Sequence, residues 1–199
     1  MTGANEQDGP QFIVEGELVA LGPVRRDLVP VYQRWMNDLD VARGVGRVPP
    51  FTLEAEIQWY DSVTRPDAQD ALFTVYDRAD LAPVGTCGLS QIDRANGAAM
   101  FGIMLGERRG RGLGTEAARL TLEWAFAAVG LHNVMLQVFE WNVAAIRAYT
   151  KAGFKEIGRR RGAVVTMGRR FDIVLMDAVA DELEGAALTR FIPEGGEPR

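Results

Sequence analysis

Apolar side chains recur at Leu113, Ala117, Leu120 and Trp124, the spacing of one face of a helix that Gly130 ends. The same spacing over Leu28, Val31, Tyr32 and Trp35 predicts an earlier helix, with Asp27 placed to cap it and Pro30 tolerated in its first turn. Gly44, Gly46, Pro49 and Pro50 read as a loop, after which Thr52 caps a helix carrying Leu53, Ile57 and Tyr60. β-Branched and apolar runs predict strands at 17–21, 71–76, 84–92, 98–105, 134–139, 154–157 and 171–176. Asn142 begins a further helix that ends at Gly153. The short turns at 77–80 and 93–97, the second containing Asn96-Gly97, join three strands into an antiparallel meander. The order β-α-α-β-β-β-α-β-α-β-β predicts an α/β (α+β) fold with a mixed sheet and helices on its faces.

Composition narrows the class. A chain of 199 residues suits one ordinary domain or two small ones. Its polar ends divide it into an N-terminal tail (1–14), a folded domain (15–180) and a loosely held C-terminal tail (181–199). With 47% hydrophobic and 25% charged residues the chain reads as globular rather than disordered. A net charge of -5 implies no general affinity for nucleic acid, although a local basic patch stays open. Cys87 and His132 are the sole cysteine and histidine, so neither an internal disulfide nor a Cys/His metal site is expected. No signal-like N-terminus or membrane-length apolar stretch is visible, which predicts a soluble, cytoplasmic protein without a membrane partner.

The chemistry concentrates between the meander and the next helix, in Glu107-Arg108-Arg109-Gly110-Arg111-Gly112-Leu113-Gly114-Thr115. Glycines let a backbone turn tightly and approach a ligand. A helix N-terminus presents unpaired N–H groups and partial positive charge, a site for a pyrophosphate. Arg109 and Arg111 can add charge-assisted hydrogen bonds. No Gly-Lys-Ser/Thr closes the loop, and it does not follow the first strand of a parallel sheet, so neither a Walker loop nor a dinucleotide fingerprint fits.

The spacing Arg109-x-x-Gly112-x-Gly114 resembles the acetyl-CoA signature of the GNAT superfamily of N-acetyltransferases. Residues 138–154, with Asn142, Tyr149 and Gly153-Phe154, look like the block that follows that signature. Trp35-Met36-Asn37-Asp38 resembles the branch of ribosomal-protein N-terminal and spermidine acetyltransferases. The resemblance covers roughly residues 15 to 178. It implies the acyl-CoA N-acyltransferase fold: a mostly antiparallel mixed sheet with helices on both faces. It also implies acetyl-CoA as co-substrate, no metal, and an acceptor that is a small amine, a polyamine or a protein N-terminus. A homodimer is expected on the same ground.

The resemblance assigns roles residue by residue. Ile103 and Met104, on a strand that splays from its neighbour, contact the pantetheine arm, and Gly102 suits a bulge there. Amides and side chains of Arg109, Gly110, Arg111, Gly112, Leu113, Gly114 and Thr115 hold the pyrophosphate. Asn142 bonds the cofactor arm as well as capping its helix, and Tyr149 is the general acid. Many relatives carry a basic Glu where this chain has Met100, which leaves Glu140, Asp93 or a water chain for the base. Trp35 and Trp59 read as core packing on helices that shape the acceptor pocket in the family. Cys87 reads as strand packing and His132 as a solvent-facing residue. Arg159, Arg160, Arg161, Arg169 and Arg170 form either a solvated hairpin or a site for the coenzyme's 3′-phosphate or an acidic partner. The rival to catalysis is an acyl-CoA sensor without turnover, and a weaker variant is transfer of a longer acyl group.

Overall fold

The computed structural model describes residues 9–183. Strands β1 (Val14–Glu15) and β2 (Val19–Pro23) open the sheet. β3 (Ala71–Asp77), β4 (Pro83–Asp93) and β5 (Ala98–Leu105) form the expected antiparallel meander. Helix α4 (Leu113–Ala127) crosses over to β6 (Asn133–Phe139), which lies parallel to β5. Helix α5 (Val143–Ala152) leads to the hairpin of β7 (Lys155–Thr166) and β8 (Arg169–Val179), longer than the apolar runs suggest. The sheet order is β1-β2-β3-β4-β5-β6-β8-β7, with every neighbour antiparallel except β5 and β6.

Alternating strand residues build one large core. Phe73, Val75, Cys87, Leu89, Phe101, Val134 and Leu136 pack with Leu113, Ala117, Leu120 and Leu122 of α4. Tyr149 and Ile146 of α5 close the same face. The opposite face is covered by α1 (Val29–Met36) and α3 (Leu53–Val63), where Val29, Tyr32 and Trp35 meet Ile57, Trp59, Tyr60 and Met104. A 2.6 Å hydrogen bond between the Tyr32 and Thr74 hydroxyls stitches α1 to β3. Trp35 is a buried core residue and His132 an exposed one, as expected. Cys87 is buried against Thr121, and burial pushes its thiol up to about 12.

Three local expectations change. Asp27 does not cap α1; its carboxylate accepts from the Arg25 guanidinium at 2.9 and 2.8 Å, and a 3₁₀ turn at Arg26–Leu28 precedes the helix. The bulge in β5 is not at Gly102, which stays in register with Gly88. The ladder slips instead between Ser90 and Asp93, where Gln91 has φ 52°. Finally, part of the expected loop is helix α2 (Leu39–Val45). Asp38 caps it by accepting from the Asp40 and Val41 N–H groups, and Gly46 ends it in the left-handed region at φ 70°. Asn37 then pins the following segment, exchanging hydrogen bonds of 2.8 and 2.9 Å with the Phe51 backbone.

Candidate active site

The ladder between β5 and β6 holds for only three residue pairs, Ala98 to Met100 against Asn133 to Met135. Beyond Met100 the two strands no longer pair, and a cleft of about 600 Å³ opens. Ile103, Met104 and Leu105 form its floor. Residues of α2 form one wall, and Trp141, Asn142, Ala145 and Tyr149 form the other. Arg109, Gly110, Gly112, Gly114 and Thr115 close one end. A strand released from its partner exposes backbone N–H and C=O groups to an extended ligand.

The end wall combines left-handed glycines with a helix N-terminus that no side chain caps. Gly110 and Gly112 have φ of 83° and 85°, conformations that a side chain would strain. Gly112 is the N-cap of the fifteen-residue α4 and has no side chain to satisfy the first-turn amides. Gly114 sits close to Leu105, so a Cβ there would meet that side chain at 3.0 Å. Arg109 is exposed beside these amides, and Arg111 is exposed just outside the cleft lining. Leu113 turns into the core, 4% exposed, so only its backbone N–H is available to a ligand.

Arg108, which the sequence reading passed over, fixes the loop. Its guanidinium reaches Asp77 at 2.6 Å and Asp80 at 2.8 and 2.6 Å. Hydrogen bonds from Arg108 hold the Asp80 carboxyl down to about 2. Arg108 is thus paired at the β3–β4 turn, whereas Arg109 and Arg111 enter no ion pair among the described residues.

Asn142 caps α5, its Oδ1 accepting the Ala145 N–H at 3.2 Å. Its amide nitrogen faces Gly44 of α2, 3.9 Å from where a Cβ would stand. Tyr149 packs edge-on against Phe101 and Phe154, and burial pushes its hydroxyl up to about 12. Trp141 stacks on Phe139 with centroids 4.4 Å apart, and Phe139 in turn fills the space left by Gly46.

Both carboxylates considered as bases are engaged elsewhere. Glu140 accepts the Asp172 N–H at 2.8 Å and lies 3.9 Å from Arg159. Asp93 caps its own turn through Ala95 and Asn96 and borders a separate hollow with Asp70 and Trp124. Neither lines the cleft, where Asp40 is the carboxylate among the described residues. Among those residues no cluster of three His, Cys, Asp or Glu side chains is placed to hold a metal ion, and no helix is long and apolar enough to cross a membrane. The α2 wall was overlooked because its seven residues contain Gly44; the signal for it was the pairing of the Asp38 cap with Gly46.

A mixed sheet that parts beside a glycine-rich helix N-terminus defines an acyl-CoA N-acyltransferase fold. The family model for the acetyltransferase (GNAT) domain matches residues 19–155, and the chain belongs to that family. It is 32% identical over 145 residues to spermidine N(1)-acetyltransferase of Escherichia coli (strain K12), spanning 70% of this chain and 74% of that one. It is 28% identical over 103 residues to the uncharacterized N-acetyltransferase p20 of Bacillus licheniformis, 51% of this chain and 58% of that protein's length. Among solved structures, spermidine N-acetyltransferase from Vibrio cholerae in complex with CoA and spermine superposes with a TM-score of 0.76 at 22% identity. That match covers 83% of this chain and 97% of the other.

Proposed function

We propose that the domain spanning residues 15–180 transfers an acetyl group from acetyl-CoA to a primary amine, and that the acceptor is a small polyamine-like amine. The observation that carries the proposal is one continuous cleft lined by the uncapped α4 N-terminus, the freed edge of β5 and Tyr149. The Escherichia coli relative and the Vibrio cholerae neighbour support the acceptor class, since both are named spermidine acetyltransferases.

The residues fit acetyl-CoA part by part. The Gly110–Thr115 amides and Arg109 bind the pyrophosphate. Freed backbone groups of Ile103 and Met104 pair with the pantetheine amides as a neighbouring strand would. Asn142 Nδ2 donates to the same arm. A neutral amine attacks the thioester carbonyl; the N–C bond forms, the C–S bond breaks, and the amine's extra proton passes to solvent. Tyr149 stays protonated far above neutrality and donates a hydrogen bond to the departing sulfur. A thiolate with a pKa of about 8.5 then leaves without taking the phenolic proton outright.

The test is calorimetric titration with acetyl-CoA, followed by thiol release against spermidine, simple alkylamines and short peptides. Micromolar binding with release by spermidine supports the proposal. Release only by peptides moves the acceptor to a protein N-terminus. Binding with no release from any amine supports a sensor instead, a reading favoured by apolar Met100 and the engagement of Glu140 and Asp93.

A further inference from the structure

The basic hairpin has no part in the cleft, since none of its arginines lines it. From Ile157 to Phe171 the chain holds five arginines and no carboxylate, although the whole chain carries a net charge of -5. β8 pairs with β6 only from Ile173 to Val179, so residues 169–172 and the β7 stretch opposite them run past the end of β6 as a two-stranded ribbon. Met167 and Gly168 close it in a two-residue turn at φ 48° and 72°. At about 3.4 Å per residue, four residues of β8 carry the ribbon roughly 14 Å beyond β6. Register and strand alternation put arginines on both of its faces. Arg160 stands opposite Ile173, and Arg169 shares that face, its guanidinium 5.6 Å from the Phe171 ring centroid. Arg170 lies on the other face with Asp172, and both meet Gly162, at 3.1 and 2.8 Å. Arg161 lies in the slip between Arg160 and Val164. Arg159 is held by Glu156 at 2.8 Å. Arg160, Arg161, Arg169 and Arg170 enter no ion pair among the described residues.

We infer that this ribbon is a docking element for double-stranded DNA, seated in the major groove and held by phosphates on both walls. The inference is independent of the acetyl-transfer reading. An acidic protein surface would engage one face of a ribbon and leave the arginines of the other in water, whereas a groove engages both. The B-form major groove is about 12 Å wide and admits a two-stranded ribbon. Guanidinium forks match phosphate oxygens. Met167 at the tip is 91% exposed, an apolar end that suits the thymine methyl groups on the groove floor. DNA repels the acidic remainder of the chain, so contact is confined to the ribbon and is sensitive to salt.

The test is fluorescence anisotropy of a labelled DNA duplex of about 20 base pairs, long enough for two turns of groove. Four phosphate contacts give a slope of log affinity against log salt of about -3.6, so binding should weaken roughly tenfold between about 50 and 100 mM salt. Arg160→Gln with Arg161→Gln removes side chains that make no hydrogen bond or ion pair among the described residues and should halve that slope. Adding Arg169→Gln and Arg170→Gln should abolish binding. Melting curves confirm that each variant is folded, and if the fourfold variant is not, the slope of the double variant decides. Arg147→Gln, in the cleft, should change nothing. Binding lost in Arg147→Gln instead places the DNA at the cleft and overturns the inference. So does an unchanged slope in the double variant, or equal affinity for duplex RNA, whose major groove is too narrow for a ribbon. A labelled polyglutamate bound as tightly as DNA makes the partner an acidic protein and overturns it too. No binding of the duplex at the lower salt shows a hairpin that is only solvated, and refutes the inference outright.

Discussion

Glu116 should be among the most costly side chains to remove. It sits in the first turn of α4, 8% exposed, and its carboxylate accepts three backbone N–H groups from the turn between β1 and β2. Oε1 takes Glu17 at 2.9 Å, and Oε2 takes Leu18 and Val19, each at 2.7 Å. Gly16 permits this approach, since a Cβ there would come within 2.7 Å of the carboxyl carbon. In Glu116→Gln one oxygen becomes an NH₂ group that faces a donor. The better rotamer keeps Leu18 and Val19 and orphans Glu17. Losing one charge-assisted bond at a partly wet amide costs about 2 kcal/mol. In a chain of this size that lowers Tm by about 4–8 °C. Glu116→Ala orphans all three amides and should cost about 4 kcal/mol, with water recovering part of the loss. Urea unfolding followed by tryptophan fluorescence reads both values from the midpoint at constant m. An alanine variant less than about 1 kcal/mol below wild type would refute the reasoning, because the amides would then be satisfied without the carboxylate.

Further expectations concern the site and its pH range. Tyr149→Phe should lower kcat by about 10²–10³ while leaving acetyl-CoA affinity unchanged, read by steady-state kinetics beside calorimetry; an unaltered kcat removes Tyr149 from the chemistry. Arg109→Gln should raise the KM for acetyl-CoA about tenfold at constant kcat and flatten its salt dependence. Burial pushes Cys87, Tyr32 and Tyr149 up to about 12, so the folded chain keeps protons that the unfolded chain releases. Their contribution is whole below pH 9 and falls as pH rises to 12, by about 1.4 kcal/mol per pH unit for each group titrating only when unfolded. Urea midpoints measured across that window check the sign, and Cys87→Ala should flatten the first part of the decline.

Local signals in the sequence carried most of the elements. Thr52 and Asn142 cap their helices through side-chain oxygens, Gly153 ends α5 at φ 114°, and the meander follows from its short turns. Such features depend on residues three or four apart, so the chain states them directly. The glycine-rich loop was legible for the same reason: Gly110 and Gly112 take the positive φ that only glycine adopts freely. Asp27 misled because a second acceptor role, binding Arg25, outcompeted the cap.

Most of the strands and helices, the glycine-rich loop and the tyrosine downstream of it were therefore legible in the residues themselves, whereas helix α2 was not. Tertiary structure alone decided where β5 and β6 part company, which wall α2 supplies, and which charges remain unpaired. Arg108 is committed to Asp77 and Asp80 from across the sheet, Glu116 to amides 97–99 residues away, and Glu140 to β8. These pairings are set by packing the same apolar faces into one core, which brings distant polar groups together at distances that local sequence does not encode.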